Sequence, residues 1–201
     1  MFGATGLTGR EVVRIAHERG HRVIAAARSA ADMSWPAGVE AAAVDILDPA
    51  RVTNVLRAAD AAVVAVGIGT TRGPTTVYSA GVEHVLGAMS ELGVRRMSVV
   101  SAAPAGPRDA LPRSQRMLAR ILDQFFGETY RDMQRMETAL QGSDIDWTCL
   151  RPPRLVNNRE PGYRLSSRPL GGSVGRTGLA AACLDVLDDT TFRREFRYIS
   201  S

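Results

Sequence analysis

The most constraining feature of this chain is the regular alternation of short apolar segments with amphipathic segments of helical length. After a glycine-rich opening, "LTGREVVRIAHERG" has apolar residues at helical spacing and ends at Gly20, and the apolar run "HRVIAAAR" follows. The same alternation of an apolar segment and a helical segment recurs in "VEAAAVD" with "ILDPARVTNVLRAAD" and in "AAVVAVG" with "GPTTVYSAGVEHVLGAMSELGV". The apolar segment "RRMSVVSAA" follows. Because these strands are apolar throughout, we expect a mainly parallel sheet covered by helices on both faces.

The second half of the chain is less regular. The segment "PRSQRMLARILDQFFGETYRDMQRMETALQGSD" predicts two helices separated near Gly127, and "IDWTCLRPP" predicts a strand. A short strand at 163–165, a closing helix in "RTGLAAACLDVLDD" and a last edge strand in "EFRYIS" follow. No repeat or linker divides the chain, so we expect residues 1–201 to form a single doubly wound α/β domain of Rossmann type. Its C-terminal part is expected to wall the substrate pocket.

The opening "MFGATGLTGR" places glycines at positions 3, 6 and 9, directly before the first predicted helix. Glycine permits a tight turn, lets the backbone approach a pyrophosphate and lets the helix pack closely on the sheet. The helix N-terminus adds oriented N–H groups and partial positive charge. Three glycines alone are also compatible with a structural turn, but their place before a β-α-β series favours a dinucleotide site.

A loop of this kind normally follows a buried strand of about five residues, whereas only Met1 and Phe2 precede Gly3. The downstream pattern is arranged as though that central strand were present, and its loss would leave hydrogen-bonding edges exposed. We therefore expect the first strand to be truncated in this sequence. The natural protein is expected to start several residues upstream, with a Val/Ile-rich run before Phe2.

The end of the second predicted strand indicates which dinucleotide is bound. An acidic residue at this place would bind the ribose hydroxyls of NAD, but "AAARSA" puts Arg28 and Ser29 there. Arginine can pair with the 2′-phosphate of NADP, which a carboxylate would repel. The sequence thus favours NADP over NAD, the alternative being that Arg28 is a solvated surface residue.

Four further residues follow predicted strands and are candidates for cofactor contacts. Asp45 and Ile46 lie where an adenine amino group would be held, and Gly67 lies near the expected ribose and pyrophosphate, with Arg72 after it. Each has a simpler interpretation as a loop residue, because an Asp before a helix is more often a cap.

The composition excludes several mechanisms, because all 25 basic residues are arginine and the chain contains no lysine. Schiff-base chemistry, a phosphate-binding lysine of the Walker type and the catalytic lysine of ordinary short-chain dehydrogenases are therefore absent. The net charge is +4, but the arginines are scattered, so nucleic-acid binding is not expected. With neither a membrane-length apolar run nor a signal peptide, we expect no membrane association and a cytoplasmic location.

The two cysteines and three histidines of the sequence predict neither a disulfide nor a metal site. Cys149 and Cys183 lie in apolar segments and are expected to be buried thiols. The histidines, His17, His21 and His84, are assigned to the first helix, its following turn and the long helix, where solvated or packed side chains are the expectation.

Several segments in order resemble one family. The stretches "FGATGLTGR", "VDILD", "GTTRGPTTVYSAGVEHVLGAM", "SVVSAA" and "DWTCLRPPRL" are similar to atypical short-chain dehydrogenases of the NmrA-like set, especially the flavin reductase and biliverdin-IXβ reductase group. The resemblance covers nearly the whole chain. It implies a Rossmann-type sheet, NADPH bound across the strand ends, and hydride transfer to a flavin- or tetrapyrrole-like acceptor.

The same resemblance implies roles for individual positions. Asp45 and Ile46 would contact adenine, Arg28 would bind the 2′-phosphate, Ser101 would lie beside the nicotinamide, and Pro152 would line its other side. The phosphates would be held by the loop residues Gly3, Thr5, Gly6, Thr8 and Gly9, with Leu7 among them.

Ser101 and Tyr130 are the candidate catalytic residues. A serine at the carboxyl end of its strand is expected to point into the ligand crevice, where it could donate a hydrogen bond. Tyr130 and Gln134 have the spacing of Tyr-x-x-x-Lys, but glutamine carries no positive charge to stabilise a phenolate. Carbonyl reduction is therefore disfavoured, and Tyr130 has the alternative of being an ordinary helix residue. Flavin reduction is not affected, because its proton can come from water.

The sequence thus predicts an NADPH-dependent reductase of a flavin-, tetrapyrrole- or quinone-like acceptor, acting as a monomer or weak dimer. The alternative is a non-catalytic NADP-binding sensor of the NmrA type. An epimerase of the extended short-chain class ranks last, because it needs the missing lysine.

Overall fold

The computed structural model describes residues 1–69, 73–107, 113–158, 160 and 162–201, with the backbone alone for 113–125. The helices are α1 (Leu7–Glu18), α2 (Pro49–Leu56), α3 (Ser79–Leu92), α4 (Arg113–Gly142) and α5 (Arg176–Asp188). The strands are β1 (Ile24–Ala27), β2 (Glu40–Ala43), β3 (Ala61–Val64), β4 (Arg96–Val100), β5 (Asp146–Arg151), β6 (Arg154–Val156), β7 (Arg164–Ser166), β8 (Ser173–Gly175) and β9 (Glu195–Ser200).

The central sheet is parallel except at one edge, as the sequence predicts. Strand β1 pairs with β2, and β3, β4, β5 and β9 pair in that order. Phe2 joins the two groups, because it forms parallel bridges to Ala26 of β1 and to Val64 of β3. The order is therefore β2-β1-Phe2-β3-β4-β5-β9-β7, with β7 antiparallel to β9. The Rossmann-type α/β fold is confirmed.

Phe2 thus holds the position of a central first strand by itself. It is 2% exposed, its N–H donates to the Val63 carbonyl at 2.8 Å, and its carbonyl accepts from Ala65 N–H at 3.0 Å. On the other side, Gly3 N–H donates to Ala26 O at 2.9 Å. These bonds place Gly3 at the carboxyl ends of β1 and β3.

Helices cover both faces of the sheet, and local signals in the sequence mark several of their ends. Helix α2 begins after Asp48, whose side chain accepts from Arg51 N–H, and has Pro49 in its first turn. Helix α3 ends at Gly93, whose φ of 72° is the left-handed conformation that favours glycine. One core packs against α2, α3 and α4, and a second core packs against α1 and α5. Within the described part of the chain, no helix combines the length and apolar character needed to cross a membrane.

Two expectations of the sequence analysis are wrong. Helix α4 is one continuous helix through Gly127 and not a pair. An internal glycine costs a helix only about 1 kcal/mol, and the buried residues Met133, Met136 and Leu140 anchor its second half in the core. Strand β9 is not an edge strand, because β7 pairs along its outer side.

Candidate functional site

The candidate site is the crevice at the carboxyl ends of the parallel strands. From the position of Phe2 the chain runs outward through β1 and β2, then returns and runs the other way through β3, β4 and β5. Ligands of open α/β sheets bind where this strand order reverses. The glycine loop, which continues directly from Phe2, lies at this place.

The glycine loop is held by contacts that only glycine allows. Gly3 has a φ of 83°, and a Cβ there would lie 2.5 Å from the Ala65 carbonyl oxygen. At Gly9, in the first turn of α1, a Cβ would lie 2.1 Å from the Gly3 carbonyl oxygen. Gly6 N–H donates to that same oxygen at 3.1 Å. Glycine at positions 3 and 9 is therefore a requirement of packing between the loop, the backbone directly after β3 and α1.

The N-terminus of α1 is suited to an anion. Its N-cap is Gly6, no side chain caps it, and its first turn has no acidic residue. The first N–H groups of a helix have no partner within the helix, and they carry partial positive charge. Thr5 and Thr8 lie half-buried beside them, and Leu7 is 60% exposed. The loop residues fit a pyrophosphate, which would meet these N–H groups directly.

Arg28 and Ser29 follow the last residue of β1, and both are exposed. Among the described residues, no carboxylate forms an ion pair with the Arg28 guanidinium. Asp45, two residues beyond β2, is also exposed and accepts a hydrogen bond from Leu47 N–H at 3.0 Å. Within the described part of the chain, Arg28 therefore follows β1 as a cation without a carboxylate partner, at the place where NAD-binding proteins have a carboxylate.

Three further residues, Ile46, Gly67 and Arg72, were predicted to contact the cofactor. Ile46 is 7% exposed, and its side chain packs so closely on Gly81 of α3 that a Cβ there would lie 2.8 Å from it. Only the edge or backbone of Ile46 is thus left for an adenine contact. Gly67 is exposed beyond the end of β3. Arg72 lies outside the described residues.

Ser101 is part of a buried polar cluster next to the crevice. Its hydroxyl donates to Glu137 Oε1 at 2.8 Å, and Glu137 also receives two bonds from Arg151, at 2.9 and 2.7 Å. The Arg151 guanidinium lies 4.1 Å from the centre of the Phe196 ring and reaches the Tyr198 hydroxyl at 3.4 Å. Glu137 and Arg151 are 6% and 7% exposed. Such a bidentate pair is geometrically specific and holds Ser101 in one orientation.

The bond to Glu137 determines what the Ser101 hydroxyl can offer a ligand. A hydroxyl has one proton and two lone pairs, and an ionised carboxylate is an acceptor only. With its proton on Glu137, Ser101 presents a lone pair and not a donor. Below it, burial raises the pKa of the Cys149 thiol well above its usual value, so that this thiol stays neutral. Cys149 and Cys183 are both free and buried.

Pro152 follows β5 directly after Arg151, and Tyr130 lies on α4, the helix that carries Glu137. The Pro152 carbonyl accepts from Ala103 N–H at 2.8 Å, which ties the end of β5 to the segment after β4. Tyr130 is half-buried on α4, with its ring centre 6.3 Å from that of Phe126. Gln134, one turn along the helix, donates to the Ala105 carbonyl at 3.2 Å. The structure therefore gives Gln134 a role in holding the loop after β4.

The sequence analysis missed Glu137, Arg151 and Tyr198. Glu137 lies two helical turns beyond Tyr130, so the two residues share one side of α4. Arg151 precedes the prolines of "LRPP", and its apolar neighbours on a buried strand were a signal that its charge needs a partner. The identity of that partner was not visible, because Glu137 belongs to a different element.

Comparison with known proteins agrees with this geometry. The family described as NAD(P)H-binding matches residues 3–190, which is nearly the whole chain. The chain belongs to the NAD(P)H-binding family.

Solved structures of the same fold cover the whole chain at low sequence identity. The anaerobilin reductase ChuY from Escherichia coli O157:H7 is 23% identical with a TM-score of 0.79, covering 98% of this chain and 94% of that one. A short-chain dehydrogenase/reductase from Veillonella parvula DSM 2008, solved in complex with NADP, is 18% identical with a TM-score of 0.81, covering 100% and 92%. The oxidoreductase YlbE from Lactococcus lactis is 16% identical with a TM-score of 0.83, covering 99% and 88%.

The close packing of the loop predicts the effect of a single methyl group. Gly9→Ala puts a Cβ against the Gly3 carbonyl, so the loop must move and the dissociation constant for NADPH is expected to rise at least about tenfold, or 1.4 kcal/mol. Gly87→Ala is the matched control, because Gly87 is an exposed glycine of α3 with open space around a Cβ. Titration of both variants with NADPH, followed by fluorescence, checks this. Equal affinities would contradict the proposed packing.

The buried ion pair predicts a large loss of stability when one partner is removed. Glu137→Gln leaves the Arg151 guanidinium buried without its carboxylate, which typically costs about 3–5 kcal/mol of unfolding free energy. The control is Glu128→Gln on the same helix, which breaks the exposed pair with Arg131 and is expected to cost less than about 1 kcal/mol. Urea unfolding measures both. Glu137→Gln combined with Arg151→Met is expected to recover part of the loss, and no recovery would contradict this account.

Proposed function

We propose that this protein is an NADPH-dependent reductase that transfers hydride to a flavin-, tetrapyrrole- or quinone-like acceptor. The observation that carries the proposal is the uncapped N-terminus of α1 behind a glycine loop, with the exposed Arg28 next to it. Membership of the NAD(P)H-binding family and the fold shared with reductases support it. We place the protein in the cytoplasm as a monomer or weak dimer.

The preference for NADPH rests on charge. A 2′-phosphate at the end of β1 would meet the Arg28 guanidinium and the Ser29 hydroxyl, and both are exposed. Asp45, which follows the neighbouring strand β2, has its side chain engaged by the Leu47 N–H. Arginine binds phosphate through a rigid fork of donors. NAD lacks the phosphate and would gain nothing from this arginine.

The protein's own contribution to the reaction is binding and orientation. NADPH supplies the hydride when it is bound. Ser101, held by Glu137, would accept a hydrogen bond from the nicotinamide amide group or from an N–H of the acceptor. Pro152 would limit the space on the other side. Tyr130 stands without a lysine at the usual position, so that water is the proton source that fits best.

An acceptor that needs no protein acid suits this arrangement. Flavins and quinones take hydride on a ring system, and the product collects its proton from solvent. One similar structure is that of an anaerobilin reductase, which supports including tetrapyrrole-like acceptors. Orientation of two bound rings then provides most of the rate.

A second candidate function is a sensor that binds NADP without turnover. The observation in its favour is that the Ser101 proton is bonded to Glu137 and Tyr130 has Gln134 in place of a lysine. Because its proton is on Glu137, Ser101 does not donate to a ligand, which also suits a site that only binds the dinucleotide. Such a sensor would bind NADP and NADPH equally and would need a protein partner.

Turnover decides between the two functions. Purified protein is mixed with NADPH and, in separate assays, with FMN, riboflavin, biliverdin and several quinones. The reductase predicts loss of absorbance at about 340 nm that depends on both acceptor and protein. If NADP binds tightly while no acceptor of the panel is reduced, the sensor is the better account. If neither dinucleotide binds, both proposals are wrong.

Arg28→Ala tests the choice of cofactor. The variant is expected to bind NADPH about 10- to 100-fold more weakly, as for loss of a charge-assisted hydrogen bond of 1.5–3 kcal/mol, with little change for NADH. Arg22→Ala, at the other end of the same strand, is the control because Arg22 is exposed and far from the loop. Calorimetric titration with both dinucleotides measures the effect. An equal loss for NADPH and NADH would show that Arg28 does not bind the phosphate.

A further inference from the structure

The excess positive charge of this chain lies in one segment. Arginines occur along the whole sequence, but residues 154–176 contain five of them with a single acidic residue, Glu160. The five are Arg154, Arg159, Arg164, Arg168 and Arg176, of which Arg159 lies outside the described residues. The net charge of these residues is therefore +4, which equals that of the whole chain. We call them the β6–β8 segment, because they begin with β6 and end at the first residue of α5.

The β6–β8 segment lies beside the crevice. It begins after the two prolines that follow β5, and so it starts at the carboxyl end of the sheet. Strand β8 lies at the end of β9, where Ser201 N–H donates to the Ser173 carbonyl at 3.0 Å. Directly beyond the segment, the Thr177 hydroxyl donates to Glu11 of α1 at 3.1 Å. The segment therefore reaches from the end of β5 to the helix that follows the glycine loop.

Arg154 and Arg176 are the arginines at the two ends of this segment. On β6, Leu155 packs against the core between α1 and α5, so Arg154 faces away from that core. Arg154 is exposed, whereas Arg176 is half-buried and its Nη1 donates to the neutral Asn157 Oδ1 at 2.5 Å. Within the described part of the chain, no carboxylate forms an ion pair with either guanidinium. The register places Arg154 opposite Ser173, three residues before Arg176, so one small sheet carries both charges.

Carboxylates next to the segment are engaged by other arginines. Glu11 forms an ion pair with Arg14 at 2.8 Å, and Glu137 forms one with Arg151 at 2.7 Å. Glu160, the acidic residue of the segment itself, is exposed to solvent. A concave site with an excess of one charge raises the local concentration of ligands of the opposite charge. The β6–β8 segment therefore favours an anionic ligand in the crevice.

The position of Arg154 separates it from the proposed phosphate sites of the cofactor. Those sites are the N-terminus of α1, directly after Phe2, and Arg28 at the end of β1. The end of β5 lies three strands from Phe2 in the opposite direction, which is roughly 15 Å at about 4.8 Å per strand. A cation there lies on the side of the crevice where Ser101 and the acceptor are placed, and not on the side of the adenine half.

We propose that Arg154 and Arg176 bind an anionic group of the hydride acceptor, which is a phosphate or a carboxylate. The planar guanidinium binds either oxyanion through two parallel N–H···O bonds. This inference rests on the proposed function and narrows its acceptors to ring systems that carry such a group. FMN, with its phosphate, and biliverdin, with its carboxylates, then bind more tightly than riboflavin or an uncharged quinone.

FMN and riboflavin provide the test, because they share one ring system and differ by a phosphate. Each is titrated in its oxidised form with the protein at saturating NADP, and flavin fluorescence reports binding without turnover. FMN is expected to bind at least about tenfold more tightly, and the difference is expected to decrease as the ionic strength rises. Biliverdin and its dimethyl ester, followed by absorbance, give the same comparison for carboxylates. A preference within only one of the two pairs identifies the group as a phosphate or as a carboxylate.

Variants of the two arginines assign the preference to them. Arg154→Gln combined with Arg176→Gln is expected to bind FMN about tenfold more weakly and riboflavin unchanged. Arg154→Gln alone, at an exposed position, is expected to lose part of the preference, and Arg154→Lys, which keeps the charge, is expected to retain most of it. Arg168→Gln is the matched control, because it removes the same charge from an exposed arginine that follows β7 at the outer edge of the sheet. Both affinities are expected to stay unchanged there.

Several results would overturn the anion site. These are equal affinities within both pairs of compounds, no binding of any of the four, or a preference that survives in the double variant. A loss of the same size in Arg168→Gln would mean that net charge, and not a site, causes the preference. If the double variant loses affinity for NADPH by the same factor as for FMN, the arginines bind the cofactor and the assignment to the acceptor is wrong.

Turnover separates this inference from the proposed function. If NADPH reduces FMN and riboflavin with equal kcat/KM, the reductase stands and the anion site is wrong. If FMN binds in preference to riboflavin through Arg154 and Arg176 but is not reduced, the anion site stands and the reductase is wrong.

Discussion

The double pairing of Phe2 is the interaction on which the rest of the structure depends. One buried residue hydrogen-bonds to β3, is bridged to β1, and so joins two groups of strands into one sheet. Because the glycine loop begins at the next residue, this pairing also decides where the loop lies. It sets Gly3 against the end of β3 and directs the N-terminus of α1 toward the crevice. The position of the candidate site is therefore a consequence of backbone pairing at a single residue.

The two ends of the crevice are built on different physical principles. At the phosphate end, backbone atoms approach so closely that only glycine fits, and the unpaired N–H groups of a helix provide the positive field. At the end near Ser101, a buried carboxylate and guanidinium hold each other, and Phe196 and Tyr198 surround the guanidinium. The first arrangement attracts an anion. The second fixes the orientation of one hydroxyl, because the Ser101 proton is donated to Glu137.

Much of the fold was predictable because its signals are local. The helical spacing in α1, the Asp48 cap of α2 and the stop at Gly93 all act within a few residues of the chain. The two wrong expectations concern features that depend on contacts between distant segments of the chain. Gly127 is a helix breaker by propensity, but packing of the later turns of α4 outweighs it. The edge position belongs to β7 and not β9. This was not predictable, because Arg164 pairs with Ser200, and pairing over such a distance along the chain leaves no signal in either segment.

The sequence by itself determined the class of the protein and part of its chemistry. Its β-α-β rhythm, the spacing of Gly3, Gly6 and Gly9, and the complete absence of lysine define a dinucleotide-binding fold and exclude lysine-dependent mechanisms. Only the tertiary structure decided that Ser101 donates its hydrogen bond to Glu137, that Arg151 balances the charge of Glu137, and that Phe2 joins β1 to β3. The physical reason is distance along the chain. Periodicity and turn signals depend on residues that are close in sequence, whereas a buried charge or a strand edge is paired by a residue from a distant segment only when the sheet is assembled.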